Sequence, residues 1–119
     1  MSLTLANVTL DCGDVLALSR FWSNVLHRPI DNGASELAAT IGYHDPSTPT
    51  WLFMQVPEPK TAKNRMHVDF RADDNDAEVA RILAMGATRV GDHDQYGVRW
   101  TVLADPEGNE FCVGQPSGG

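Results

Sequence analysis

The sequence lacks a long apolar run. No segment approaches the roughly 20 consecutive apolar residues that span a bilayer, so we predict no membrane insertion. Residues 1–7 have neither the basic region nor the apolar region that begins a secretory signal, which makes the cytoplasm the expected compartment. Cysteine is scarce as well, with Cys12 and Cys112 the only two. Because thiols stay reduced in the cytosol, we expect both to be free.

Positive charge is in short supply. The chain has 9 Lys and Arg against 16 Asp and Glu, which gives a net charge of -7. Nucleic acid binding demands a basic surface, so we expect no nucleic acid partner. A cationic ligand is permitted, although an acidic balance commonly serves solubility alone. The absence of a P-loop, a dinucleotide fingerprint, a nucleophile elbow and a Cys-x-x-Cys pair excludes the common nucleotide-binding, hydrolase and redox motifs.

The first half of the chain predicts a strand, a helix and further strands. Apolar and polar residues alternate from Leu3 to Cys12, as in a half-buried strand. The helix that follows has Asp14 as its N-cap and ends before Pro29. Two later strands are predicted at Glu36–Tyr43 and Trp51–Val56. The apolar stripe of the helix consists of Leu18, Phe21, Trp22, Val25 and Leu26.

The second half repeats this order after a connector, residues 57–65, that has two prolines and no apolar periodicity. A strand at Met66–Arg71 precedes a helix with Asn75 and Glu78 as its capping box and Gly86 as its C-terminal stop. Three more strands complete the chain. They are predicted at Thr88–Gly91, Val98–Ala104 and Glu110–Gly114.

An internal repeat with a period of about 60 residues follows from this order. Both halves place an Asp-Pro pair between their last two strands, Asp45-Pro46 and Asp105-Pro106. Each half also has one apolar helical stripe that needs a sheet to cover it, so we predict a single α+β domain over residues 1–119 with two βαβββ modules. Module one covers about residues 3–57, the linker 58–65 and module two about 66–115. The residues expected to be buried are Leu18, Phe21, Val25, Val68, Phe70, Val79, Ile82, Leu83 and Phe111.

Three stretches resemble the glyoxalase, bleomycin-resistance protein and dioxygenase (vicinal oxygen chelate) superfamily, in its glyoxalase-like branch. Residues 8–22 (VTLDCGDVLALSRFW) resemble its first strand and helix, and residues 63–70 (KNRMHVDF) resemble its fifth strand. Residues 100–113 (WTVLADPEGNEFCV) resemble its terminal hairpin. The resemblance covers nearly the whole chain. It implies one curved mixed sheet around a small-molecule cavity, with the helices on the outer face.

The resemblance also implies where a metal would bind. Metal-using relatives take two ligands from each module, and the matching positions here are Asn7, Gln55, His67 and Cys112. Carboxamide oxygens are weak, uncharged donors for Ni, Zn, Co or Fe, so this set is a poor metal site. We therefore expect no metal cofactor. The alternative is one divalent metal held by His67, Gln55 and Cys112.

His67 is the candidate catalytic residue. By strand alternation it shares a polar face with Asp69 and Arg71, opposite the residues that face the helix. An imidazole on that face is able to act as a general base or as a hydrogen-bonding partner of a ligand. The alternative is a histidine that is satisfied by its polar neighbours.

The cavity wall is expected to combine aromatic and polar side chains. Trp51 and Phe53 suit a planar or hydrophobic ligand, and their alternative role is to fill the hollow of the sheet as core. The side of its strand on which Trp100 lies stays open. The full set of predicted ligand-binding residues is Asn7, Thr9, Trp51, Phe53, Gln55, His67, Asp69 and Cys112.

Two functions follow from the resemblance. The first is a metal-independent protein, similar to the bleomycin-resistance proteins, that sequesters or modestly transforms a small organic compound; the acidic balance and the poor ligand set favour it. The alternative is a metal-dependent lyase or isomerase of the glyoxalase I or epimerase type, favoured by His67 and the fold. In both cases we expect a homodimer, because relatives cover open sheet edges and the cavity mouth with a second subunit.

Overall fold

The computed structural model describes residues 5–117. The chain divides into two compact units, residues 1–59 and 60–119, so the boundary lies inside the predicted linker. Each unit carries one helix and one mixed sheet, which confirms the α+β class and the repeated order of elements. Within residues 5–117, no helix is long and apolar enough to cross a membrane. The single domain stays a prediction.

The first unit is a three-stranded sheet with one helix. Its elements are β1 (Asn7–Cys12), α1 (Val15–Leu26), β2 (Ala38–Ile41) and β3 (Thr50–Gln55). The order across the sheet is β1, β3, β2, with β1 parallel and β2 antiparallel to β3. The βαβββ order predicts a further strand directly after the helix. In its place the structure has one isolated β-bridge, between Ile30 and Ile41. The predicted start of the first strand, Leu3, lies outside the described residues.

Helix α1 begins and ends where its sequence predicts. The Asp14 carboxylate accepts a hydrogen bond from the backbone N–H of Ala17, one of the donors that a first turn leaves without an intrahelical partner. At the other end His27 adopts the left-handed conformation, with φ 53°, and its backbone N–H bonds to the carbonyl of Ser23. Pro29 then follows two residues later, where it cannot extend the helix.

Aromatic side chains form the core of the first unit. Helix α1 packs against β2 and β3, and Trp22 on α1 lies on Trp51 of β3 with ring centroids 4.8 Å apart. Phe21 meets Trp22 edge to face, and Phe53 is fully buried. Because a buried aromatic residue removes roughly 150–250 Å² from water, this cluster contributes strongly to the apolar burial that holds α1 on its sheet.

The second unit is a four-stranded sheet with one helix and shows the full βαβββ order. Its elements are β4 (Val68–Arg71), α2 (Asn75–Ala84), β5 (Thr88–Gln95), β6 (Val98–Ala104) and β7 (Glu110–Pro116). The order across the sheet is β4, β7, β6, β5, with β4 parallel to β7 and the other pairs antiparallel. Helix α2 packs against β7.

Element ends in this unit differ from the sequence prediction. The N-cap of α2 is Asp74, whose carboxylate accepts from the backbone N–H of Ala77, and the predicted capping box at Asn75 is wrong by one residue. Both residue types cap well and they are adjacent, so side-chain chemistry alone does not separate them. Strand β5 continues past Gly91 to Gln95, and β4 begins at Val68.

The burial predicted from the sequence agrees with the structure on the helices better than on strand β4. Of the nine residues expected to be buried, six are: Leu18, Phe21, Val25, Val79, Ile82 and Phe111. Val68 and Phe70 are half-buried because β4 lies at the edge of its sheet, and Leu83 is half-buried near the end of α2.

The Asp-Pro turn between β6 and β7 is held by one carboxylate. Asp105 is 3% exposed, and its side chain accepts hydrogen bonds from the backbone N–H groups of Glu107 and Asn109 and from the Asn109 side-chain amide. Gly108 supplies the left-handed position, with φ 87°, that the turn requires. The turn therefore fixes where β7 starts, at Glu110.

Removing one aromatic ring from α1 is expected to destabilise the protein strongly. Phe21 is 4% exposed, so Phe21→Ala should lower the free energy of unfolding by about 3–5 kcal/mol through lost transfer energy and a residual cavity. Leu16→Ala on the same helix, where the side chain is 43% exposed, is the matched control and should cost less than about 1 kcal/mol. Urea denaturation measures both, and equal losses would contradict the described core.

Candidate functional site

Three adjacent strands of the second unit bring polar and apolar side chains together on one face. Strand β7 pairs with β4 on one side and β6 on the other, so Cys112 lies between Asp69 and Val102. Side chains alternate along each strand, and the opposite face carries the buried Phe111 and Val113. The face of Cys112 is therefore the one that α2 leaves uncovered.

A cavity of about 570 Å³ opens on this face. Its apolar wall contains Val98, Trp100 and Val102 of β6, together with Tyr96 and Phe70. Trp100, whose side could not be decided from sequence, thus lies on the cavity side, where its ring stacks on the imidazole of His93 with centroids 4.9 Å apart. The wall is suited to a flat or hydrophobic organic molecule.

A cluster of three polar side chains lies in the same cavity. Nδ1 of His67 is 2.9 Å from Oδ1 of Asp69 and 3.9 Å from Sγ of Cys112. A carboxylate only accepts hydrogen bonds, so Nδ1 carries the proton in its contact with Asp69. In the neutral imidazole Nε2 is then left with a free lone pair, which is the state that a general base requires.

The Cys112 thiol is held in its protonated form. Burial raises its pKa to about 11, and the hydrogen bond to Asp69 and the negative charge of that carboxylate act in the same direction. Lys63 lowers the pKa, but by less than these effects raise it. Cys112 is therefore a neutral hydrogen-bonding group at physiological pH, which argues against a nucleophilic role.

The remaining charged groups of the cavity differ in whether they are paired. Lys63 at the mouth forms a salt bridge with Glu110, and Asp69 is engaged by His67. Arg71 also lines the cavity and is exposed. It makes no hydrogen bond or ion pair with any residue in the range 5–117.

Three of the predicted site residues meet in this cavity, namely His67, Asp69 and Cys112. Their donor atoms all lie within 4.8 Å of one another. The register of β4 and β7 opposes Asp69 to Cys112, and His67 directly precedes β4. That these residues contact a ligand stays a prediction.

The predicted placement of Trp51 and Phe53 on a cavity face with Asn7 and Thr9 is wrong. In the parallel register of β1 and β3, Val8 opposes Trp51 and Leu10 opposes Phe53, so both aromatic rings lie on the face that α1 covers. Trp51 is 8% exposed and Phe53 is 0% exposed. Asn7 and Thr9 lie on the other face, and both are exposed.

The four-residue convergence implied by the resemblance also fails within the first unit. Asn7 opposes Thr50 at one end of the β1–β3 pair, and Gln55 opposes Cys12 at the other end. The two positions are five residue steps apart along the strands, which corresponds to about 16 Å, and by alternation they face opposite sides of the sheet. Asn7 and Gln55 therefore do not contribute to one site. The donor set does not fit the metal centre expected from the resemblance.

Two cavity residues were missed at the hairpin between β5 and β6. Gln95 ends β5, and Tyr96 with Gly97 forms a two-residue turn in which both residues have positive φ, 57° and 76°. Such turns match the twist of paired strands. The Tyr-Gly pair indicates this hairpin only when the strand before it reaches Gln95. The sequence prediction ended that strand at Gly91, so it did not identify the turn.

The protonation state of Cys112 predicts slow alkylation. In a Cys12→Ser background, iodoacetamide should react with the folded protein at a rate that rises about tenfold per pH unit until about pH 11, since only the thiolate reacts. Asp69→Asn removes the negative charge and should raise the rate near neutral pH. The urea-unfolded protein is the control for intrinsic reactivity. A rate that levels off near the ordinary cysteine pKa would contradict the described environment.

Comparisons with known proteins agree with this fold. A family model described as a glyoxalase-like domain matches residues 7–114. A glyoxalase/bleomycin resistance protein/dioxygenase family enzyme from Burkholderia phytofirmans PsJN superposes with a TM-score of 0.78 at 21% identity, covering 96% of this chain and 99% of that one. The fosfomycin resistance protein FosX from Listeria monocytogenes gives 0.77 at 16% identity, covering 98% and 96%.

A lactoylglutathione lyase from Agrobacterium tumefaciens gives a TM-score of 0.69 at 18% identity, covering 97% of this chain and 95% of that one. No curated protein matches the chain by sequence. At these identities the structural likeness establishes the fold alone, whereas the family match extends over nearly the whole sequence. The chain belongs to the glyoxalase-like domain family.

Proposed function

We propose that this protein binds a small organic molecule in the cavity of its second unit without a metal, and sequesters it or transforms it modestly by acid-base chemistry. One observation carries the proposal: an apolar wall that includes Trp100 and a polar cluster around His67 line the same cavity of about 570 Å³. Ligand sites commonly have volumes of about 300–1,000 Å³ and combine apolar walls with a few polar groups.

The donor chemistry of the cavity supports metal independence. Asn7 and Gln55 lie too far apart to complete a site, as their register shows. Of the remaining donors, Cys112 is a neutral thiol at physiological pH. A divalent ion would meet one carboxylate, one imidazole and a thiol that must first lose its proton, which is a costly set.

The polar cluster supports proton transfer as the chemistry available to this cavity. Asp69 holds Nδ1 of His67 as a donor, so Nε2 is free to accept a proton from a bound molecule. The carboxylate would then stabilise the positive imidazolium that results, as an acidic partner does in hydrolase dyads. A purely sequestering protein would use Nε2 as a hydrogen-bond acceptor instead.

A metal-dependent lyase or isomerase is the second candidate, and one observation favours it. The donor atoms of His67, Asp69 and Cys112 lie within 4.8 Å of one another, close enough to surround a single ion. One structural relative, a variant of FosX from Listeria monocytogenes, is a complex with Mn(II) and 1S,2S-dihydroxypropylphosphonic acid. In that case Cys112 would bind as the thiolate.

We retain the homodimer as part of the proposal. Strand β5, eight residues long, ends the sheet of the second unit, and its outer edge has no strand partner among residues 60–117. An edge of that length is a template for pairing with another strand. A second copy of this chain is the partner we propose, since most oligomers of small proteins are symmetric homodimers.

Two measurements on untagged protein separate these functions. Elemental analysis should find far less than one metal per chain, and added Ni²⁺ or Zn²⁺ should leave the melting temperature unchanged. In an NMR screen of small organic compounds, those that bind should shift the Trp100 indole signal. Trp100→Ala should weaken the binding affinity of these compounds by about tenfold or more. Val90→Ala, at an exposed position outside the cavity, is the control and should leave binding unchanged.

The metal measurement also has a clear contrary outcome. Stoichiometric metal, together with a rise in melting temperature that His67→Ala abolishes, would replace metal-independent binding with the lyase or isomerase class. A screen in which compounds shift only signals outside the cavity would contradict the proposed site itself.

A further inference from the structure

A row of three residues crosses the cavity floor next to the polar cluster. Arg71 of β4 opposes Gly114 of β7, and Gly114 opposes Trp100 of β6. All three line the cavity. Neighbouring strands lie about 4.8 Å apart, so the Cα atoms of Arg71 and Trp100 are about 10 Å from each other. A guanidinium and an indole therefore flank a position that has no side chain.

Gly114 is required for space and not for its backbone conformation. Its φ lies outside the left-handed region, so other residues are able to adopt its conformation. A Cβ added there would lie 3.1 Å from Cβ of Trp100 and 3.0 Å from the carbonyl oxygen of Arg99, which is tighter than ordinary contact. Gly114 therefore allows the close approach of β6 at Arg99 and Trp100. It also places no side-chain atoms between the side chains of Arg71 and Trp100, and we call this position the slot.

The two sides of the slot offer different interactions. Trp100 presents an aromatic surface, and its stacking on His93 fixes the orientation of the indole. Arg71 presents a guanidinium that no carboxylate in the described chain engages. Guanidinium groups bind carboxylates through two parallel hydrogen bonds, and an exposed arginine that lines a cavity is available for that contact.

The polar contacts of the cavity lining favour an anionic ligand at Arg71. Of the two carboxylates in the lining, Glu110 pairs with Lys63, and Oδ1 of Asp69 accepts a hydrogen bond from Nδ1 of the neutral His67 ring. Arg71 is the charged group of the lining that lacks a partner among residues 5–117.

We propose that the ligand of this cavity is a flat aromatic organic anion that spans Gly114, with its carboxylate on Arg71 and its ring against Trp100. This inference rests on the proposed small-molecule function and adds the chemical class of the ligand. The separation of about 10 Å between the two flanking Cα atoms suits a fused aromatic ring with a short acidic side chain. The adjacent row on the same face carries Asp69 and Cys112, the two residues that contact His67.

The test compares three probes of one shape and different charge. 1-Naphthylacetate is the anion, 1-naphthylacetamide the neutral analogue and 1-naphthylethylamine the cation. Isothermal titration calorimetry of the intact protein should find the acetate bound about tenfold tighter than the amide, and the amine weakest. Arg71→Met should bring the acetate to the affinity of the amide, and Arg71→Lys should keep part of the preference.

Arg99→Met is the matched control, because it removes one positive charge from the neighbouring strand β6 at a residue that does not line the cavity. It should leave the preference for the acetate intact. Three probes that bind with equal affinity, or a preference that survives Arg71→Met, would overturn the anion proposal and leave small-molecule binding standing. Failure of all three probes and of the wider compound screen would overturn both.

Discussion

Strand β4 pairs in parallel with β7, and this single register opposes Asp69 to Cys112 and Arg71 to Gly114. A shift of β4 by one residue would turn Asp69 and Arg71 to the face that α2 covers, because side chains alternate along a strand. The contribution of Asp69 to the raised pKa of the Cys112 thiol and the position of Arg71 beside Gly114 both depend on this pairing. The Asp105 turn contributes by fixing where β7 begins.

Much of the fold was accessible from the sequence because the two helices carry clear apolar stripes and capping residues. Asp14 and the stripe around Leu18 located α1 correctly. The cap of α2 was missed by one residue because four consecutive residues from Asp73 to Asp76 are all Asp or Asn. The βαβββ order predicts a full strand directly after α1, but the structure has only an isolated β-bridge there, between Ile30 and Ile41.

Only part of the candidate site could be predicted from the sequence. Around the start of β4 the polar His67 and Asp69 alternate with the apolar Val68 and Phe70, so alternation predicted that His67 and Asp69 share a face. Strand β3 carries the apolar run from Trp51 to Met54, and alternation gives no side for such a run; packing against α1 decides it. The slot at Gly114 depends on cross-strand neighbours, which a sequence does not specify without the register.

Asp69 holds the proton of the neutral His67 ring on Nδ1 and leaves Nε2 able to accept one. Two-bond ¹H–¹⁵N correlation spectra of the imidazole rings, with the His67 signals assigned by comparison with His67→Gln, report which nitrogen carries the proton in the neutral ring. We expect a protonated Nδ1 and an unprotonated Nε2 for His67, with the Nδ1 preference weakened by Asp69→Asn. A neutral His67 ring protonated on Nε2 would contradict it.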